Sequence, residues 1–145
     1  MAQVSRLLET AIYVDDLERS ATFYRDVLGL ERVIGTPEEM ETQKNVLRPL
    51  HVPGGQVLLL FLKGATSQTA VLPGGTIPSH EGAGKLHLAF AISSFELDSW
   101  RERLASRGIA IEGEMSWPRG GTSIYFRDPD GHLLELASPG LWSIY

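Results

Sequence analysis

The chain has 145 residues, is 43% hydrophobic and carries a formal charge of −5, with an isoelectric point near 5.3. That is enough apolar material for the core of one globular domain spanning residues 1–145. The acidic balance excludes a nucleic-acid or anionic-membrane surface, which would reward Lys and Arg. There is no cysteine, so disulfide and thiolate chemistry are excluded. No charged stretch followed by an apolar one precedes Val14, and no apolar run approaches about 18 residues, so a cytoplasmic location is expected.

In chain order, residues 7–14 predict a strand. Leu8, Thr10, Ile12 and Val14 line one face, and Glu9, Ala11 and Tyr13 the other. A helix follows, capped by Asp15 or Asp16, with Leu17, Ala21, Tyr24 and Leu28 at helical spacing and Gly29 as its stop. Three strands are expected around residues 31–35, 45–52 and 56–62, with turns at Thr36-Pro37 and Pro53-Gly54-Gly55. Residues 73–85 are rich in Gly, Pro and Ser without periodicity and read as a connecting loop.

The plan then repeats. Residues 86–92 predict a strand, Ser93 with Glu96 a capping box, and Phe95, Leu97, Trp100 and Leu104 the inner face of a helix ended by Gly108. Strands are expected at 109–112, 122–127 and 132–137, the last two joined by the turn Asp128-Pro129-Asp130-Gly131. Each copy reads β-α-β-β-β, giving an α+β fold of two paired modules, 7–62 and 86–137, with a curved mixed sheet around a central cavity. A unit repeated once buries its apolar face against its twin.

Three polar residues stand on faces otherwise made of small or apolar side chains. Glu9 lies beside Ala11 and Tyr13, His87 beside Ala89 and Ala91, and Glu135 beside Leu133 and Ala137. Taken singly, a strand glutamate is ordinarily solvated and a lone strand histidine is ordinarily a satisfied core residue. The shared register of Glu9 and His87 in the two copies changes that weighing. Two carboxylates and an imidazole suit a divalent first-row metal, and three protein ligands leave positions open for water or substrate. The fourth symmetry-related place falls on Leu59, which is apolar and becomes a pocket wall. His80 and Lys85 in the loop, Arg119 in Trp117-Pro118-Arg119, Tyr125 and Tyr13 are further candidates for contact with substrate. Gly82-Ala83-Gly84-Lys85 lacks the spacing of a phosphate loop, and His80-Glu81 lacks the second His of a zinc-protease helix.

The chain resembles the vicinal oxygen chelate superfamily, which includes glyoxalase I, bleomycin-resistance proteins, fosfomycin-resistance proteins and extradiol dioxygenases. The stretches that carry the resemblance run from Glu9-Thr10-Ala11-Ile12-Tyr13-Val14-Asp15-Asp16-Leu17 and Phe23-Tyr24-Arg25-Asp26-Val27-Leu28-Gly29-Leu30 through His87-Leu88-Ala89-Phe90 to Phe126-Arg127-Asp128-Pro129-Asp130-Gly131-His132-Leu133-Leu134-Glu135-Leu136. The resemblance implies metal ligands at Glu9, His87 and Glu135, a divalent ion (Fe, Mn, Ni, Co or Zn) that binds adjacent oxygens of a small substrate, and a homodimer. The pattern departs from the family at two places. The first ligand is commonly His in the fosfomycin-resistance and extradiol enzymes, and glyoxalase I has a fourth ligand where Leu59 stands. The expected function is a metal-dependent enzyme of the dioxygenase or lyase/isomerase type, with Glu9 or Glu135 doubling as base. The alternative is a protein that sequesters a drug or metabolite, as bleomycin-resistance proteins do.

Overall fold

The computed structural model describes residues Met1–Tyr145 and divides into two compact units, Met1–Ala83 and Gly84–Tyr145. It is a mixed α+β structure. In the first unit, β1 (Glu9–Val14) runs parallel to β3 (Gln56–Leu62), and β2 (Leu47–Val52) pairs antiparallel with the other edge of β3. The alternation of β1 explains its placement. Ile12 and Val14 are buried, while Glu9 is exposed and Ala11 and Tyr13 are half-buried on the opposite face.

Helix α1 (Leu17–Leu28) packs on this sheet through the buried Leu17, Ser20, Tyr24 and Val27. Of the two aspartates able to start it, Asp16 is the cap, its side chain accepting from the Arg19 amide at 2.9 Å. Gly29 adopts φ 71° and ends the helix, with the Leu30 amide donating back to the Tyr24 carbonyl at 3.1 Å.

Three expectations for this unit need correction. Residues 31–35 form no strand: Arg32 makes a single bridge to Leu50, and the Val33 amide donates to the Pro49 carbonyl at 2.9 Å. The pairing stops because the chain leaves at Thr36, which caps α2 (Pro37–Gln43) in a full capping box with Glu39. Thr36-Pro37 is thus a helix start and not merely a turn. The connecting segment is also more ordered than its composition implies, since β4 (Ala70–Leu72) and β5 (Gly75–Ile77) form a two-stranded hairpin.

In the second unit, β6 (His87–Ala91) lies parallel to β9 (Leu133–Ala137), followed by β8 (Thr122–Arg127) and β7 (Gly113–Ser116) in the order β6-β9-β8-β7. Its core holds Leu104, Ile124, Phe126, Leu134 and Leu136. The capping box of Ser93 and Glu96 is present but opens a 3-10 turn, after which α3 (Leu97–Ser106) begins. Phe95 sits on that turn and is 95% exposed, not inward. The strand expected at 109–112 begins at Gly113. The intervening residues leave the helix, with the Ile109 amide donating to the Leu104 carbonyl at 2.9 Å. No helix is long and apolar enough to cross a membrane.

Candidate functional site

The two parallel ladders share one register. In the first unit Glu9 stands opposite Val57 and Ala11 opposite Leu59. In the second, His87 stands opposite Leu133 and Ala89 opposite Glu135. Partners across a ladder project to the same face. Glu9 therefore matches His87 and Leu59 matches Glu135, as the sequence repeat implied.

Glu135 is only 4% exposed, and a carboxylate so placed needs partners. The Ser123 hydroxyl donates to its Oε2 at 2.9 Å, and the Trp117 indole Nε1–H donates to Ser123 Oγ at 2.8 Å. His87 Nε2 lies 3.3 Å from the other oxygen, Oε1. On the far side of the imidazole, Nδ1 is 2.9 Å from the Leu133 carbonyl. A carbonyl can only accept, so Nδ1 carries the proton. In the neutral ring Nε2 then presents a lone pair to a carboxylate oxygen. Two acceptors face each other, a geometry relieved by a cation or by protonation of the ring. A histidine whose Nδ1–H rests on a backbone carbonyl is also the arrangement that orients metal-ligating imidazoles. His87 Nε2 and Glu135 Oε1 are two donors of the kind a divalent first-row metal takes.

Tyr125 lies directly across the ladder from Glu135, with its ring centroid 6.4 Å from that of His87. Burial foremost, and then the charge of Glu135, push its phenol above the ordinary value against an opposing hydrogen bond with Ser123. Ser123 and Trp117 were not among the residues singled out from sequence. Ser123 shares a strand face with Tyr125 by simple alternation, so half of that signal was present. The contact to Trp117 depends on how residues 117–121 turn, where the Trp117 amide donates to the Gly121 carbonyl at 2.7 Å.

The remaining candidates fall as follows. Glu9 is exposed at the start of β1. No group of three His, Cys, Asp or Glu side chains converges in the single chain. Tyr13 and His80 come together: Tyr13 Oη is 2.8 Å from His80 Nδ1, and the imidazole packs edge-on to Phe61 at 4.6 Å between centroids. His80 is also tied by its backbone to Thr66, donating to its carbonyl at 3.0 Å and accepting from its hydroxyl at 2.6 Å. Arg119 is exposed in the turn before β8, and Leu59 is half-buried between Ala11 and Pro49. The Lys85 stem packs against Gly131.

A family model described as the Glyoxalase/Bleomycin resistance protein/Dioxygenase superfamily matches residues 6–136. The chain belongs to this superfamily. Among similar members, a probable lactoylglutathione lyase of Synechocystis sp. is 30% identical over 137 residues, covering 90% of this chain and 92% of its own. The fosfomycin resistance protein FosX of Listeria monocytogenes is 28% identical over 137 residues, covering 92% and 89%. The crystal structure of a lactoylglutathione lyase from Agrobacterium tumefaciens superposes with a TM-score of 0.82 at 35% identity, covering 98% of this chain and 99% of that one. The resemblance carried by the Glu9, Phe23, His87 and Phe126 stretches is thus borne out, and so is the α+β class. Superfamily relatives named for different activities share this fold, so the reaction has to be argued from the site.

Proposed function

We propose that the protein is a metal-dependent enzyme that binds a small oxygen-rich substrate at a divalent ion held by His87 and Glu135, with Glu9 as the third ligand although no three such side chains converge in the single chain. One observation supports this above the others: the His87 imidazole, fixed through Nδ1 to the Leu133 carbonyl, turns Nε2 toward a buried carboxylate 3.3 Å away. Such an ion would supply Lewis-acid polarisation of a substrate oxygen.

The two carboxylates divide the remaining work. Glu135 is pinned by Ser123 and serves as a fixed donor. Glu9 is exposed and better suited to take up a proton from substrate at its carboxylate, since a base must reach the proton it removes. Tyr125 offers a hydroxyl to an oxygen-rich substrate beside Glu135. Leu59 keeps the equivalent place in the other ladder apolar, which leaves three protein donors and open positions for ligand. A second copy of this chain is the expected partner; sedimentation showing only a 16.0 kDa species at micromolar concentration would remove that part of the reading.

The test is metal analysis of protein purified without chelator, beside His87→Ala and Glu9→Gln. Wild type is expected to hold about one divalent ion per chain, and His87→Ala to lose it while keeping its fold. If His87→Ala retains metal as well as wild type does, His87 is a packing residue and the reading falls.

A further inference from the structure

The first unit contains a pocket of about 460 Å³ that owes nothing to the His87–Glu135 pair. It is framed by α2, the start of β2, the end of β3 and the β4–β5 hairpin, with Leu47, Phe61, Leu72 and Ile77 as apolar walls. The volume falls in the range of small-molecule sites, which combine apolar walls with a few placed polar groups. We propose that it binds a small, uncharged aromatic molecule bearing a hydroxyl group, with His80 as the residue that recognises the hydroxyl.

The chemistry of the lining decides this class. His80 lines the pocket and has its backbone N–H and C=O tied to Thr66 and its Nδ1 tied to Tyr13. Nε2 is the polar atom left over. The proton shared between Tyr13 Oη and His80 Nδ1 leaves Nε2 either as a donor or as an acceptor. A hydroxyl both donates and accepts, so it satisfies Nε2 in either tautomer. The Phe61 ring, edge-on to His80 at 4.6 Å, gives an aromatic body a partner beside that hydroxyl.

Charged ligands fit worse. The carboxylates at the pocket, Glu38 and Glu39, are on exposed α2, and Glu39 already accepts from the Thr36 amide at 2.8 Å. They repel an anion, and being exposed on α2 they offer a cation only a water-screened counter-charge. The Thr66 hydroxyl already donates to the His80 carbonyl and has no proton left for an anion.

The experiment is a titration with biphenyl-4-ol, following the backbone amide resonances of Ala70–Ile77 in isotope-labelled protein. Biphenyl-4-carboxylate and the 4-aminomethyl analogue serve as anionic and cationic controls. Thr42→Trp and Gln68→Trp, two exposed lining positions, fill the pocket from opposite sides, so a folding failure in one leaves the other. Saturable binding of the phenol is expected, weakened about tenfold or more in either filled variant and in His80→Phe, with both charged analogues about tenfold weaker than the phenol. The proposal is overturned by no saturation up to about 1 mM, by unchanged binding in the filled variants, by an equally tight charged analogue, or by unchanged affinity in His80→Phe. None of these outcomes bears on whether His87 holds a metal, so the two readings stand or fall apart.

Discussion

Replacing Ser123 with Ala cuts the chain of hydrogen bonds that runs from Trp117 to Glu135. Ser123 is fully buried, and its hydroxyl both accepts from the Trp117 indole at 2.8 Å and donates to Glu135 Oε2 at 2.9 Å. Stranding a buried donor costs about 1–3 kcal/mol, and a hydrogen bond to a charged group contributes about 1.5–3 kcal/mol. Trp117 is half-buried and partly able to recruit water, so the combined loss should be about 2–4 kcal/mol. Urea unfolding in the presence of chelator, followed by tryptophan fluorescence, measures this loss without metal. Freed to rotate, Glu135 should also bind a divalent ion about 10–100-fold more weakly, as is usual when a ligand's supporting partner is removed. Trp117→Phe separates the two effects, because it removes the indole N–H but leaves the Ser123–Glu135 bond; it should lose stability with little change in metal affinity. If Ser123→Ala stays within about 0.5 kcal/mol of wild type and binds metal equally well, the hydrogen-bond chain does not position Glu135.

Leu59→Glu places a carboxylate at the ladder position equivalent to Glu135, and should slow metal loss during dialysis against chelator; unchanged or faster loss would refute the equivalence. Arg48→Met should cost about 2–4 kcal/mol by urea unfolding. The buried guanidinium bonds the Lys44 and Leu47 carbonyls at 2.7 and 2.9 Å and pairs with the exposed Glu18 at 2.7 Å. The Arg101 hydrogen bond holds the Glu114 carboxyl below its ordinary value of 4.5, so its contribution is present above that value and lost as pH falls through the lower folded one. The pair is exposed, so Arg101→Met should cost no more than about 1 kcal/mol at neutral pH, and the part of that difference due to Glu114 should fade as pH drops through its folded value.

The candidate ligands were legible because a strand writes its inner face into every second residue. Glu9, His87 and Glu135 stand out against alanines and leucines, and the ladder registers follow the repeat down to Leu59. The helix stop at Gly29 was legible for a comparable reason, since a left-handed terminus favours one residue type. Helix α2 was harder. Its start signal, Thr36-Pro37-Glu38-Glu39, is complete, but no residue of the helix is buried, so there was no apolar stripe to find. The β4–β5 hairpin hides in the same way: all six of its strand residues are exposed, and Pro73-Gly74 reads as loop unless the flanking pairing is known. Ser123 and Trp117 lie on the tertiary side of the problem. Hydrogen bonding between them depends on the turn over Gly120-Gly121, where the backbone of Gly140 crosses so closely that a Cβ on Gly121 would fall 2.8 Å from its carbonyl carbon.

The matched ladders also bear on how such a protein can change over generations. Opposite Ala11 the inner face ends in a methyl-rich Leu59, and opposite Ala89 it ends in Glu135, on backbones held in the same pairing. One codon therefore separates a wall from a ligand, without any rearrangement of strands. A lineage built on this frame can gain or lose a donor, and with it a reaction, by substitution at one strand position. Selection for new chemistry then acts on single side chains, while the packing of Ile12, Leu60, Leu134 and Leu136 beneath them is left in place.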